Sequence, residues 1–208
     1  MGKDDALEAK RDQLALAAGK VLAEWSMVEA AVSFLFVSLL DQTDVPVKDG
    51  IVVWEDEEPS RRMGHTIISA IIGFPARVDV LSAVFDECDC EPELKSIWPG
   101  MAARLKKKYR SRHEAAHFVI TNHEQEDGNW IPYLTPFASS IGSYSDKTLT
   151  VHDLHAKIDS FYELRLGLTW IMHEVEVARG RKKEPPLPVP PLIQRVRRAL
   201  ETQNPSKQ

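Results

Sequence analysis

Apolar residues at spacings of three and four dominate the first forty positions of the chain. Leu14, Ala18, Val21, Trp25, Val28, Val32, Leu35 and Leu39 fall on one stripe, which predicts a long helix opened by Asp4 or Asp5 and running to about Leu40. The period then stops. Residues 41–59 (DQTDVPVKDGIVVWEDEEP) read as a connector, with Ile51-Val52-Val53-Trp54 as a brief strand or apolar flap. Ser60 is placed to N-cap a second helix whose inward face is Met63, Ile67, Ile68 and Ile71, interrupted by Gly73-Phe74-Pro75. A third helix over Arg77 to Glu87 turns Val80, Leu81, Val84 and Phe85 inward. After the Cys88 to Pro92 turn comes a short helix, Glu93 to Trp98. Pro99-Gly100 then breaks or kinks the chain before a basic helix over about Met101 to Ile120, with Ala102, Leu105, Tyr109, Ala116 and Val119 as its apolar stripe.

Thr121 to Leu149 carries no helical period. Its glycines, prolines and serines predict a long loop with room for a small hairpin around Trp130 to Phe137. Thr150 and Asp153 then form a capping box. The helix they open has Val151, Leu154, Ile158, Phe161, Arg165, Leu168, Met172 and Val175 on one seam and ends at Arg179-Gly180. Arg165 is expected to neutralise a carboxylate such as Glu29, ahead of contacting a ligand. Pro185 to Pro191 (PPLPVPP) is an extended polyproline strap. A short basic amphipathic helix, Leu192 to Glu201, follows it. The prediction is an all-α protein: an up-and-down bundle of four to five main helices over residues 1–180, with a long irregular loop before the last long helix. Residues 181–208 form a proline-rich linker and a short C-terminal helix.

Composition narrows the class. With 208 residues and 43% apolar residues, the chain is long enough for one well-filled domain. A net charge of −5 means that contact with a polyanion must come from a local basic patch. The N-terminus lacks the apolar segment of a secretory signal, and the run from Ala30 to Leu40 is too short to span a bilayer. A soluble cytoplasmic protein without membrane contact is expected. Cys88 and Cys90 are two residues apart, a spacing that rarely bridges, and read as inert thiols in a reducing compartment.

Candidate chemistry concentrates in residues 106–122, KKKYRSRHEAAHFVITN, where two motifs overlap. His113, Glu114 and His117 form H-E-x-x-H, the pattern of two zinc-ligating histidines one helical turn apart with a glutamate to activate water. His123 stands ten residues after His113, at the distance of a third ligand. Against a zinc hydrolase, Ile120 occupies the place where such chains need a turning glycine. Arg112 and His117 form R-x-x-x-x-H. By composition alone the first pattern arises by accident about 0.02 times in such a chain and the second about 0.4 times, so only context gives the second any weight.

That context resembles the HEPN (higher eukaryotes and prokaryotes nucleotide-binding) all-α domains. Arg112-His113-Glu114-Ala115-Ala116-His117 is similar to their R-[N/D/H]-x-x-x-H motif, and Ala116-His117-Phe118 resembles its usual ending. The opening helix with Glu24-Trp25-Ser26-Met27-Val28-Glu29 and the Thr150-x-x-Asp153 start of the last long helix fit the family's layout over about Lys10 to Gly180. The resemblance implies a metal-independent endoribonuclease of toxin or phage-defence type. It would act as a homodimer, with Arg112 and His117 in a composite site at the two-fold axis and an antitoxin or defence partner nearby. Where toxins silenced by nucleotidyltransferase partners carry tyrosine, this chain has Val119.

The chemistry agrees with these residue types. RNA carries its own nucleophile in the 2′-hydroxyl, so cleavage needs only a base near neutral pH and a cation for the phosphorane. Tyr109, His113 and Glu114 stand as supporting residues. Arg104, Lys106, Lys107, Lys108 and Arg110 stand as the RNA-binding run, and no cofactor is required. Two other readings stay open. In one, a non-catalytic HEPN-like dimeric regulatory module keeps His117 as a core histidine and Arg112 as a structural ion pair. In the other, a zinc hydrolase uses His113, Glu114 and His117 with His123.

Overall fold

The computed structural model describes residues 3–40, 47–48, 51–52, 59–136, 148–180 and 185–203. Among them the chain is mostly helical. Its elements in order are α1 (Lys3–Leu40), β1 (Val47–Lys48), β2 (Ile51–Val52), α2 (Pro59–Ala70), α3 (Phe74–Glu87), α4 (Pro92–His117), β3 (Phe118–Glu124), β4 (Trp130–Pro136), α5 (Val151–Ala178) and α6 (Pro191–Gln203). The chain divides into two compact units, Met1–Ser26 with Lys108–Tyr162 and Met27–Lys107 with Glu163–Gln208. The division falls within α1, α4 and α5.

The first unit is built around Trp25. Its indole lies edge-on to Phe161 with ring centroids 4.9 Å apart, and Tyr109 lies 6.0 Å away on α4. Leu14, Ala17, Val21, Ala115, Leu134, Leu149, Leu154 and Phe161 complete the buried set. A hairpin of two seven-residue strands occupies much of the expected loop: β3 and β4 pair antiparallel from Phe118↔Pro136 to Glu124↔Trp130. The β-branched run Val119-Ile120-Thr121 favours a strand over the helix end predicted there. The turn is closed by Gly128 in the left-handed region (φ 73°) and by Asp127, whose carboxylate accepts from the backbone and side-chain nitrogens of Asn129. Leu134 makes a further bridge to Leu149; residues 137–147 of the expected loop lie outside the described residues.

The capping box at the head of α5 forms as expected. Asp153 Oδ2 accepts from Thr150 N (2.8 Å) and Oγ1 (2.7 Å), and Thr150 Oγ1 accepts from Asp153 N at 3.2 Å. Gly180 (φ 69°) ends the helix at its other terminus.

The second unit buries Val28, Val32, Leu35 and Leu39 of α1, Val78, Leu81 and Phe85 of α3, and Leu164, Leu168, Ile171 and Val175 of α5. Phe85 stacks on Trp98 at 4.5 Å, and the indole N–H of Trp98 donates to Ser82 Oγ at 2.9 Å. By length and composition α1 is apolar enough to cross a bilayer. Its stripe is instead buried within the protein.

Two expectations are corrected in this unit. Pro99 does not divide two helices: α4 runs unbroken through it, with Pro99 on the exposed side and Leu94, Ile97, Trp98 and Met101 around it all buried. The inward face of α2 is Gly64 and Ile68, while Met63 and Ile67 are 63% and 45% exposed. Gly64 is the reason, since its Cα packs so closely on α1 that a Cβ there would meet Val37 Cγ2 at 3.2 Å. The C-terminal helix α6 also packs within this unit, over two other glycines. A Cβ on Gly100 would sit 2.9 Å from Val196 Cγ1, and one on Gly167 would sit 3.5 and 3.6 Å from Leu192 and Ile193. Leu192, Ile193 and Val196 are buried accordingly, and Arg195 and Arg197 pair with Glu163 (2.6 Å) and Glu93 (2.7 Å).

The C-terminus of α1 is held by α5. Arg179 donates to the carbonyls of Ser38 (2.7 Å) and Leu39 (2.9 Å), two of the last-turn acceptors that a helix leaves open, and Ser38 Oγ donates to Glu176. Arg165 and Glu29 are both half-buried and both engaged in polar or electrostatic contact.

Candidate functional site

The double motif sits in the last two turns of α4, and His117 is the final helical residue. Phe118 opens β3 directly, with no spacer. His117 is therefore pinned on one side by the helix ladder and on the other by the hairpin register.

Arg110, His113 and His117 are all exposed, and their i, i+3, i+7 spacing puts them on one face of α4. The imidazoles of His113 and His117 are in contact, with centroids 4.0 Å apart and planes inclined at 45°. His117 is thus no core histidine. Two proton-transfer groups and a guanidinium share one solvent-facing strip.

Arg112 is placed differently. It follows buried Leu105 by seven residues and precedes buried Ala115 by three, so it lies on the inward side of the helix and is half-buried. Five residues of helix turn it about 140° away from His117. Within one chain the two halves of R-x-x-x-x-H do not converge. No ion pair occupies Arg112 among the described residues. Tyr109 is half-buried, with its ring 6.0 Å from that of Trp25.

Glu114 is taken by another partner. Lys157 Nζ of α5 donates to its Oε2 at 2.6 Å, and both side chains are largely covered. His123 lies along β3 and not beside the histidine pair. Its Nε2 is 3.0 Å from Thr121 Oγ1, and its ring meets Tyr133 edge-on at 5.3 Å. Among the described residues no group of three or more His, Cys, Asp or Glu is arranged to hold a metal ion. His113 and His117 alone are close enough to offer two nitrogens.

The basic run divides as well. Lys106 is paired with Asp79 of α3. Arg104 and Lys108 are half-buried, and Lys108 has a partner. Lys107 and Arg110 are the exposed cations of the run. Sequence reasoning grouped all five as an RNA-binding strip. The helical period, applied to charges as it was to apolar residues, separates them and pairs Arg110 with the histidines.

Comparison of the chain with protein-family models, curated proteins and solved structures gives no match in any of the three.

Proposed function

We propose that the protein is a metal-independent endoribonuclease whose working groups are His113 and His117, with Arg110 beside them and Arg112 supplied by a second copy of the chain. One observation carries the reading: two imidazoles in contact on an exposed helix face that also bears an exposed guanidinium.

The chemistry follows from those groups. One imidazole accepts the proton of the 2′-hydroxyl as its oxygen attacks the neighbouring phosphorus. The P–O5′ bond breaks, and an imidazolium returns a proton to the departing oxygen. The products are a 2′,3′-cyclic phosphate and a 5′-hydroxyl. A guanidinium stabilises charge on the non-bridging oxygens by paired N–H donation. Arg110 is placed for this on the same chain. Arg112, turned away from its own His117, suits a site assembled across a two-fold axis, as the HEPN resemblance implies.

Incubation of the purified protein with end-labelled single-stranded RNA in EDTA tests the proposal. The expected result is cleavage with cyclic-phosphate ends, lost in His117→Ala and reduced at least tenfold in His113→Ala and Arg112→Ala. Cleavage that survives His117→Ala, or that requires added metal, rejects it. For a zinc hydrolase built on the same residues, Glu114 would have to leave Lys157 and His123 would have to leave Thr121.

A further inference from the structure

Cys88 and Cys90, expected to be inert because two residues rarely suffice for a bridge, are brought together by the backbone. The amide of Cys90 donates to the carbonyl of Cys88 at 3.0 Å, an i to i+2 bond that folds Asp89 into a three-residue turn. Cys88 is also fixed from behind, since its N–H caps α3 by donating to Val84 O at 2.8 Å. The two Sγ atoms then lie 2.6 Å apart, and both residues are half-exposed.

We propose that Cys88 and Cys90 are a reversible thiol–disulfide pair that reacts with small-molecule disulfides such as oxidised glutathione. Cys88, as thiolate, attacks one sulfur of the incoming disulfide and displaces one glutathione thiolate. Cys90 then loses its proton to solvent and attacks Cys88 Sγ, displacing the second. One intramolecular S–S bond forms, the external S–S bond is broken, and two glutathione molecules leave reduced.

The surroundings assign the order of attack. Burial, with the neighbouring Cys88, pushes the Cys90 thiol up to about 12, so it is the resolving and not the attacking group. The positive charges of Arg179 and Lys95 act on Cys90 in the opposite sense and assist its ionisation once Cys88 carries the mixed disulfide. Lys95 is held there by donating to Asp86 O at 3.1 Å. The bridge would close a small ring within the turn that joins α3 to α4.

The test is equilibration of the full-length protein with graded mixtures of oxidised and reduced glutathione, followed by alkylation and intact-mass measurement. The expected product is a chain lighter by two hydrogens, carrying neither alkyl groups nor glutathione. The native protein should form it at an oxidised-to-reduced ratio at least tenfold lower than the same chain in concentrated urea, because the turn supplies the proximity. The Cys90→Ser variant should accumulate a glutathione adduct on Cys88. Two alkylated cysteines, adducts on both sulfurs, disulfide-linked dimers, or equal ratios for native and unfolded chains would each overturn the proposal.

Discussion

Glu114 Oε2 accepts from Lys157 Nζ at 2.6 Å, so the central residue of H-E-x-x-H serves to join α4 to α5. With side chains 12% and 24% exposed, this pair lies between the exposed bridges that contribute little and the buried ones whose disruption is costly. Replacing Glu114 by Ala leaves a covered ammonium without its acceptor. A loss of about 1–3 kcal/mol in urea unfolding is expected. Glu114→Gln, which keeps an acceptor oxygen, should retain RNA cleavage, measured at a temperature where both proteins are folded. A collapse of cleavage in the Gln variant at full stability would return Glu114 to the chemistry.

Arg112 and His117 cannot meet on one copy of α4, which gives complementation a definite outcome. Arg112→Ala protein, reduced at least tenfold alone, and His117→Ala protein, inactive alone, should regain activity when unfolded together and refolded as a mixture. Random pairing makes half the dimers mixed, each with one intact site of two, so recovery of roughly a quarter of wild-type activity is expected. Zero recovery with mixed dimers present by mass would show that the two residues do not share a composite site.

The capping box should carry a pH signature. Hydrogen bonds from Thr150, the side chain's first and the backbone's second, hold the Asp153 carboxyl below its ordinary value of 3.8. A depressed folded-state value means the contribution is complete above the unfolded value and disappears as pH falls through the folded one. The urea midpoint gap between wild type and Asp153→Asn should therefore be full at neutral pH and shrink on acidification below about pH 4. Thr150→Ala should cost about 1 kcal/mol at neutral pH.

Gly100 decides whether α6 can dock. Gly100→Val should displace Val196 and destabilise the protein by about 1–3 kcal/mol, read from the thermal midpoint. Val196→Ala in the same chain should recover part of that loss. If both substitutions cost their separate amounts in full, the close approach is not limiting.

The periodic parts of the chain were legible in advance because burial and helical period coincide there: α1 spans its predicted length, and Thr150 and Asp153 make the bonds that their spacing implies. What escaped was set by tertiary fit. Gly64, Gly100 and Gly167 look like weak helix positions and are close-contact positions instead. Pro99 reads as a break, yet its neighbours are buried firmly enough to carry the helix through. At the site, the sequence marked the motif and its spacing, while the exposed face that Arg110 shares with His113 and His117 emerged only from the structure. Arg112 and His117 are five apart on a helix, and spacing alone already put them on different sides.

The absence of any spacer between His117 and Phe118 has one further consequence. Any displacement of the β3–β4 hairpin relative to α4 would therefore be felt first at the His117 imidazole. Two glycines inserted at this junction would uncouple the position of that ring from the hairpin while leaving every side chain of the motif in place.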